Sequence, residues 1–330
     1  MGTVWHAVDE ILPRQVAIKF GEAASDASAL RQNAVILAEA TNGARLVGHR
    51  NVVPILDYGI HPTDGTSVPF LVMDYAPGPT LASFLESLDR LTDKATRNFV
   101  ALHLVREICE ALIYSHEQGI LHRDIKPTNC LLTGGVLRVS DFGLSRKLGE
   151  PTRDQTVREW VSPHYAAPEQ YDMSVNPTRA TDTYQVAATA YEVITGRTVF
   201  PNDRNVREYH VNRTPQPIKD GFNDWQFPEV AELVLGMLRK DPFYRPELWE
   251  LHDELCLILH RPWRLVVRDV YEHQRVDVAR ILGFDPASLD AGVNHIYADE
   301  RLAFRHFISL MEHNCFVGRL EGQEARRLGG

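Results

Sequence analysis

Side chains at the start of the chain alternate, with Val4, His6 and Val8 on one side and Trp5, Ala7 and Asp9 on the other. A period of two predicts a strand, and Gln15 to Phe20, after the turn at Pro13, predicts its hairpin partner. From Ser28 to Leu46 the period changes. Leu30, Ala34, Leu37, Ala38 and Ala44 recur at three- and four-residue steps until Gly48, which predicts one helix. Two apolar runs follow, Val52 to Leu56 and Pro69 to Met73, separated by the turn-rich His61-Pro62-Thr63-Asp64-Gly65. Residues 1 to about 73 therefore read as a small sheet with one helix.

After Pro77-Gly78-Pro79 the pattern becomes helical. Phe99, Leu102, Val105, Cys109, Leu112, Ile113 and His116 trace one face of a long segment ending at Gly119. Further helices are predicted at Thr183 to Thr195, stopped by Gly196, at Pro228 to Leu238 and at Glu247 to Leu259. Beyond them, Val266 to Leu282 is a helical candidate. Asp299 to His313 carries Leu302, Ala303, His306, Phe307, Leu310 and Met311 on one stripe, and Glu321 to Gly330 reads as a frayed tail. No internal repeat is visible. The arrangement is α+β: a small sheet-bearing half joined by a short linker to a larger, mainly helical half.

Composition narrows the partners. The 330 residues hold 35 Lys+Arg against 44 Asp+Glu, and a net charge of -9 argues against nucleic acid or an anionic membrane as the default partner. Hydrophobic and charged contents of 44% and 24% are those of a chain that folds. The four cysteines, Cys109, Cys130, Cys256 and Cys315, are scattered without a C-x-x-C pair, which suggests neither zinc nor a disulfide framework and fits a reducing compartment. No apolar run approaches the roughly 18 residues that span a bilayer, so the expected location is the cytoplasm.

The densest chemical signal is His122-Arg123-Asp124-Ile125-Lys126-Pro127-Thr128-Asn129, followed twelve residues past Asn129 by Asp141-Phe142-Gly143. Two acids and an amide this close, beside the short apolar runs at Leu131-Leu132 and at Leu137 and Val139, can converge on a divalent cation and a transferred phosphate. An isolated Asp124 would read as a loop or capping residue; inside this run it reads as functional. Upstream, Val16-Ala17-Ile18-Lys19 ends a predicted strand with a lysine. Glu39, twenty residues on, is placed to meet it, Glu22 being the other nearby acid of that type. Ala167-Pro168-Glu169 follows twenty-six residues past Asp141.

In that order and spacing these residues resemble the eukaryotic-type serine/threonine protein kinase family, over roughly residues 1 to 260. Asp182-Thr183-Tyr184 and Arg245, within Asp241-Pro242-Phe243-Tyr244-Arg245-Pro246, extend the match. The resemblance implies a two-lobed protein kinase fold spanning residues 1–263, with a small lobe at 1–73, a hinge at 74–79, a large lobe at 80–263 and a helical extension at 264–330. It implies ATP and Mg²⁺ as cofactors and Ser or Thr hydroxyls of protein substrates as acceptors. Asp124 would accept or orient the hydroxyl proton, and Lys126 would neutralise charge on the moving phosphate. Asn129 and Asp141 would hold the metal, and Lys19 would contact the α/β-phosphates through an ion pair with Glu39. Met73 resembles the gatekeeper, Asp74, Tyr75 and Ala76 the adenine-binding hinge, and Val4, Ala17 and Leu131 the walls of the base slot. Glu169 and Arg245 would pair, Asp182 would hold the catalytic loop, and His122 and Cys130 would be structural. Arg123 resembles an arginine that holds a phosphorylated activation segment, with Thr152 and Thr156 as candidate phosphosites, and Ser162 replaces the family's commoner threonine beside the acceptor.

One part departs from the family. Of the glycine-rich loop only Gly2-Thr3-Val4 is present, and the first strand and two glycines are missing, as in a chain begun at an internal methionine. Gln170 after Ala-Pro-Glu resembles bacterial members. Two rival readings follow: a catalytically weak pseudokinase that serves as a nucleotide-binding or interaction module, and a small-molecule phosphotransferase of similar fold. The intact Lys19, Asp124, Asn129 and Asp141 argue against the first. The long segment from Leu144 to Ala166 argues against the second.

Overall fold

β1 (Val4–Asp9) and β2 (Arg14–Phe20) form the expected hairpin, in a register that sets Val4 opposite Lys19 and Asp9 opposite Arg14. The Asp9 carboxylate closes the turn by accepting from the Ile11 and Leu12 amides at 3.1 and 3.0 Å. The computed structural model describes residues 4–21, 27–63, 66–91, 94–142, 146–147, 162–172, 174–218 and 227–259. Helix α1 (Ala27–Arg45) follows, then the antiparallel pair β3 (Ile55–Thr63) and β4 (Thr66–Asp74), giving a four-stranded sheet in the order β1-β2-β4-β3. α1 packs on β3 and β4, with Ile36 and Ala40 meeting Val53, Leu71 and Met73 in a small apolar core.

The second hairpin differs from its sequence reading at both ends. Val52 and Val53 do not begin a strand of this sheet. They run beside β7 (Val136–Val139) instead, with Val53 N donating to Val139 O at 2.9 Å and Val139 N to Asn51 O at 2.8 Å. Pro54, which has no N–H to give a ladder, separates that contact from β3. At the other end His61, Pro62 and Thr63 are strand and pair with Val68, Ser67 and Thr66. β3 is an edge strand, where proline and polar side chains cost little, so turn-like composition did not mark a turn.

The helical region predicted after Pro79 holds two helices. Thr80 starts α2 (Leu81–Leu91) by accepting the Ser83 amide on its hydroxyl at 3.3 Å, and Leu81, Phe84 and Leu85 are buried. α3 (Lys94–Glu117) follows, and from Val100 to Leu112 it is buried on every side except at half-exposed Arg106 and Glu110. A one-faced stripe was the wrong expectation. α3 is the axle of the large core, packed by α4 (Arg179–Thr195), by α7 (Leu248–Leu259) and by β7, with Ala101, Cys109 and Ala111 small enough to admit close neighbours. α5 (Val206–Asn212) and α6 (Pro228–Met237) complete the helices. α4 starts four residues before its expected Thr183, its first turn closed by Thr178 and Thr181, and α5 carried no prediction.

Two short antiparallel strand pairs complete the sheets. β5 (Ile120–Leu121) pairs with β8 (Arg146–Lys147), and β6 (Cys130–Thr133) pairs with β7. Gly134 and Gly135 join β6 to β7 at φ 57° and 73°, the left-handed pair that a two-residue hairpin turn requires. The molecule is thus a two-lobed α+β structure. Among the described residues no helix is long and apolar enough to cross a membrane.

Candidate active site

The loop from His122 to Lys126 is held from below by α4. Asp182, fully buried, accepts the His122 amide at 2.8 Å on one oxygen and the Arg123 amide at 2.7 Å on the other, and His116 Nε2 lies 2.8 Å away. Burial pushes this carboxyl upward, but the His116 hydrogen bond and the facing amides hold it below the ordinary carboxylate range. Gln185, one turn further along α4, accepts from Ile125 N at 3.0 Å and donates to Arg123 O at 2.8 Å; Gln170 donates to the same carbonyl at 2.9 Å. These contacts hold Arg123 at φ 73°, a left-handed conformation that a non-glycine residue adopts at some cost. His122 is buried, its Nε2 3.0 Å from Ser140 O and its ring 4.6 Å from that of Phe142.

This scaffold presents four polar side chains together. Lys126 Nζ donates to Asp124 Oδ2 at 2.7 Å and to Ser162 Oγ at 2.6 Å, while Ser162 N lies 3.3 Å from Asp124 Oδ1. Asn129 ends the 3-10 turn Pro127–Asn129 and donates its amide nitrogen to Asp124 O at 2.9 Å and to Asp124 Oδ2 at 3.3 Å. Its nitrogen so committed, the Asn129 side-chain oxygen is the atom free to meet a cation. Ser140, the residue before Asp141, donates through its amide and its hydroxyl to Asn129 O at 2.9 and 3.1 Å. That contact draws Asp141 and Asn129 to one place, and a carboxylate with an amide oxygen is the donor chemistry of a hard divalent cation.

A second charge cluster spans the lobes. Lys19, at the end of β2, lies 2.7 Å from Glu39 on α1 and 2.8 Å from Asp141. Glu22 lies outside the described residues. Burial disfavours the charged ammonium of Lys19, but the two carboxylates outweigh it and raise its pKa. Asp141 is likewise pushed up by burial and held below the ordinary range by Lys19, with φ at 64°. Glu39 is pushed up to about 7 by burial, against the pull of Lys19 and with the help of Asp141.

Between the lobes the apolar wall candidates converge. Ala17 lies opposite Met73 across β2 and β4, and Ala17 and Leu131 both pack on the cluster that holds buried Met73. Val4 is exposed, at the open end of β1. Asp74, the last residue of β4, and Ala76 just after it are half-buried, and there His6 stacks on Tyr75 at 4.1 Å and the Asp74 carboxylate accepts from Arg138 of β7 at 2.7 Å. Gly78 passes so close to β6 that a Cβ there would lie 1.7 Å from Leu132 O.

Glu169, in the 3-10 turn Pro168–Tyr171, forms a two-pronged pair with Arg245 at 2.7 and 2.8 Å and accepts from Thr181 at 2.9 Å. Tyr165, three residues past Ser162, donates its hydroxyl to Glu192. Cys130 is buried and its thiol is pushed up to about 12, so it behaves as a small hydrophobe. Sequence reasoning missed Gln185, His116 and Arg138 as parts of this site. No motif carries them: Gln185 lies one turn along α4 from Asp182, His116 near the end of α3 and Arg138 on the β6–β7 hairpin, places that gain meaning only in three dimensions. Gly2, Thr3, Gly143, Thr152, Thr156 and the candidate helices beyond residue 260 lie outside the described residues.

Lys19, Glu39 and Asp141 thus bridge the two lobes over a loop that clasps Asp124, Lys126 and Asn129. The chain belongs to the protein kinase domain family, whose model matches residues 1–263. It is 37% identical over 252 residues to a probable serine/threonine-protein kinase of Streptomyces coelicolor, covering 74% of this chain and 36% of that protein. It is 32% identical over 251 residues to the serine/threonine-protein kinase PknA of Mycobacterium tuberculosis, covering 74% and 55%. A third relative, the serine/threonine-protein kinase PrkC of Bacillus subtilis, is 30% identical over 255 residues, covering 76% and 37%. The match thus spans between about a third and a little over half the length of these relatives.

Proposed function

We propose that the chain transfers the γ-phosphate of ATP to Ser or Thr hydroxyls of proteins, with residues 1–263 as the catalytic unit and the segment at 74–79 as its hinge. The observation that carries the proposal is the line from Asp124 through Lys126 to Ser162, all within 2.7 Å contacts. A carboxylate beside an ammonium and a hydroxyl can orient an incoming alcohol and offset charge on the group moving toward it, which is what in-line transfer needs.

Mg²⁺ would be held by the Asn129 oxygen and Asp141, with phosphate oxygens and water filling its remaining positions, and when bound it supplies charge neutralisation at the phosphates. Lys19, held by Glu39, is placed to reach the α/β-phosphates. Met73, Ala17, Leu131 and Val4 would flank the adenine, with Asp74 and Ala76 offering backbone groups to its edge. Ser/Thr acceptors are favoured by Lys126 two residues past Asp124 and by the names of the relatives. The free thiols of Cys109, Cys130 and Cys256 suit a reducing compartment such as the cytoplasm.

The test is incorporation of labelled γ-phosphate into the chain and a generic basic protein, followed by phosphoamino-acid analysis. Phosphoserine or phosphothreonine that needs Mg²⁺ is expected. Nucleotide binding without any label would replace the proposal with that of a nucleotide-binding interaction module.

A further inference from the structure

One face of the small-lobe sheet looks into the cleft. Lys19 marks it, since its side chain reaches Asp141 of the large lobe at 2.8 Å. Residues directly opposite one another in antiparallel strands share a face, and so do residues two apart in one strand. Lys19 lies opposite Val4 and Leu71, while Ala17, two residues back, lies opposite His6 and Met73. His6 therefore stands on the cleft side of β1, in one row with Ala17 and Met73. It ends that row, because β1 is the edge strand.

An exposed side chain on an edge strand is ordinarily left to solvent. The His6 ring instead stacks on Tyr75, the residue just past β4, with centroids 4.1 Å and planes 24° apart. The two residues come from strands that are not neighbours, since β2 lies between β1 and β4. Tyr75 continues beyond the pair of Val16 with Asp74, so the stack lies on the opposite side of Ala17 from Lys19. Its position is fixed through Asp74, whose amide donates to Pro54 O at 2.9 Å and whose carboxylate accepts from Arg138 at 2.7 Å. Ala17, Met73 and Leu131 thus line a slot that the two rings bound on its outer side.

We propose that His6, stacked on Tyr75, is a base-positioning residue: the ring pair forms the outer wall of the base slot, so that affinity for the nucleotide base, and not for its phosphates, depends on it. The proposal rests on the nucleotide reading above and extends it to a residue outside every motif. Flat rings offer a purine an apolar surface, and a stack of this kind contributes enough to be read in affinity.

Calorimetric titration of the full chain with ATP·Mg²⁺ and with inorganic tripolyphosphate·Mg²⁺ tests the proposal, using the unaltered protein, His6→Ala, His6→Phe and Tyr75→Ala. His6→Ala and Tyr75→Ala should each weaken ATP binding about threefold to tenfold, and the double variant no more than either alone. His6→Phe keeps a flat ring and should stay within about twofold of the unaltered chain. Tripolyphosphate should bind all of them alike, and in turnover the loss should fall on the KM for ATP with kcat unchanged. Unchanged ATP affinity in His6→Ala overturns the proposal. So does equal weakening of ATP and tripolyphosphate, which would make the stack a support of the fold alone. An unaltered chain that binds neither ligand overturns the nucleotide reading and this proposal together; one that binds ATP equally well without the His6 ring overturns only this proposal.

Discussion

Glu39 is a carboxyl that the fold buries before its partner can discharge it. Burial outweighs Lys19, so its pKa sits at about 7 rather than 4.5. Because the folded value lies above the ordinary one, protonated Glu39 favours the fold most below about pH 4.5. That contribution is lost as pH rises through 7, while the charged pair with Lys19 forms. A carboxyl NMR titration should find the Glu39 midpoint near 7, and Lys19→Met, which removes the downward pull, should move it higher. A midpoint near 4.5 in the unaltered chain would contradict this. Asp182 and Arg245 act at the same scale. Arg245→Ala leaves Glu169 buried without its main partner and should cost about 3 to 5 kcal/mol in urea unfolding. Asp182→Ala strands the His122 and Arg123 amides, at about 1 to 3 kcal/mol each. Asp182→Ala should also lower turnover, because the loop it holds carries Asp124. Equal stability with lost activity would mean Asp182 does more than support the loop.

Among the elements, the segment between the lobes is the least tolerant of change. Gly78 lies against Leu132 O with no room for a Cβ, and the Thr80–Leu131 bridge and the Leu132 N to Pro79 O bond at 2.9 Å fix that approach. Gly78→Ala therefore has to pull the hinge off β6. A weaker affinity for ATP, with a melting temperature lower by several degrees, is the expected result; an unchanged protein would show that this backbone yields freely. The same region shows what was legible in the sequence. Strands β1 and β2, helix α1 and the starts of α6 and α7 could be read from periodicity and from Pro13, Pro228 and Gly48. The division into α2 and α3 carried no prediction, and the burial of α3 from Val100 to Leu112 on nearly every side erases a one-faced stripe. Val52 and Val53 misled for a related reason. An apolar pair before a proline reads as strand, but which sheet it joins is decided by the distant Val139.

For the whole molecule, function rests on contacts that join residues far apart in the chain. Lys19 meets Asp141, and Asp74 meets Arg138 at 2.7 Å, so the small lobe is tied to the large one through two charge pairs. The Asp74–Arg138 pair is partly exposed and correspondingly weak, and Arg138→Ala should raise the KM for ATP about twofold to fivefold with kcat little changed. An effect on kcat alone would place Arg138 elsewhere in the reaction. The candidate site was legible where motif order carried it: Asp124, Lys126, Asn129, Asp141, Lys19 and Glu39 stand together as their spacing suggested. Gln185, Gln170 and Arg138 were not, since an amide or a guanidinium that holds a backbone carbonyl or a hinge carboxylate leaves no fixed spacing to any motif.

The central claim is that Asp124 acts on the acceptor hydroxyl while the nucleotide is held by other residues. The most direct measurement compares the unaltered chain with Asp124→Asn for both ATP·Mg²⁺ affinity and single-turnover phosphoryl transfer. Transfer slowed about 10²- to 10⁴-fold, with affinity for ATP within about twofold, is the predicted result. Transfer at the unaltered rate, or affinity and transfer lost together, would contradict it.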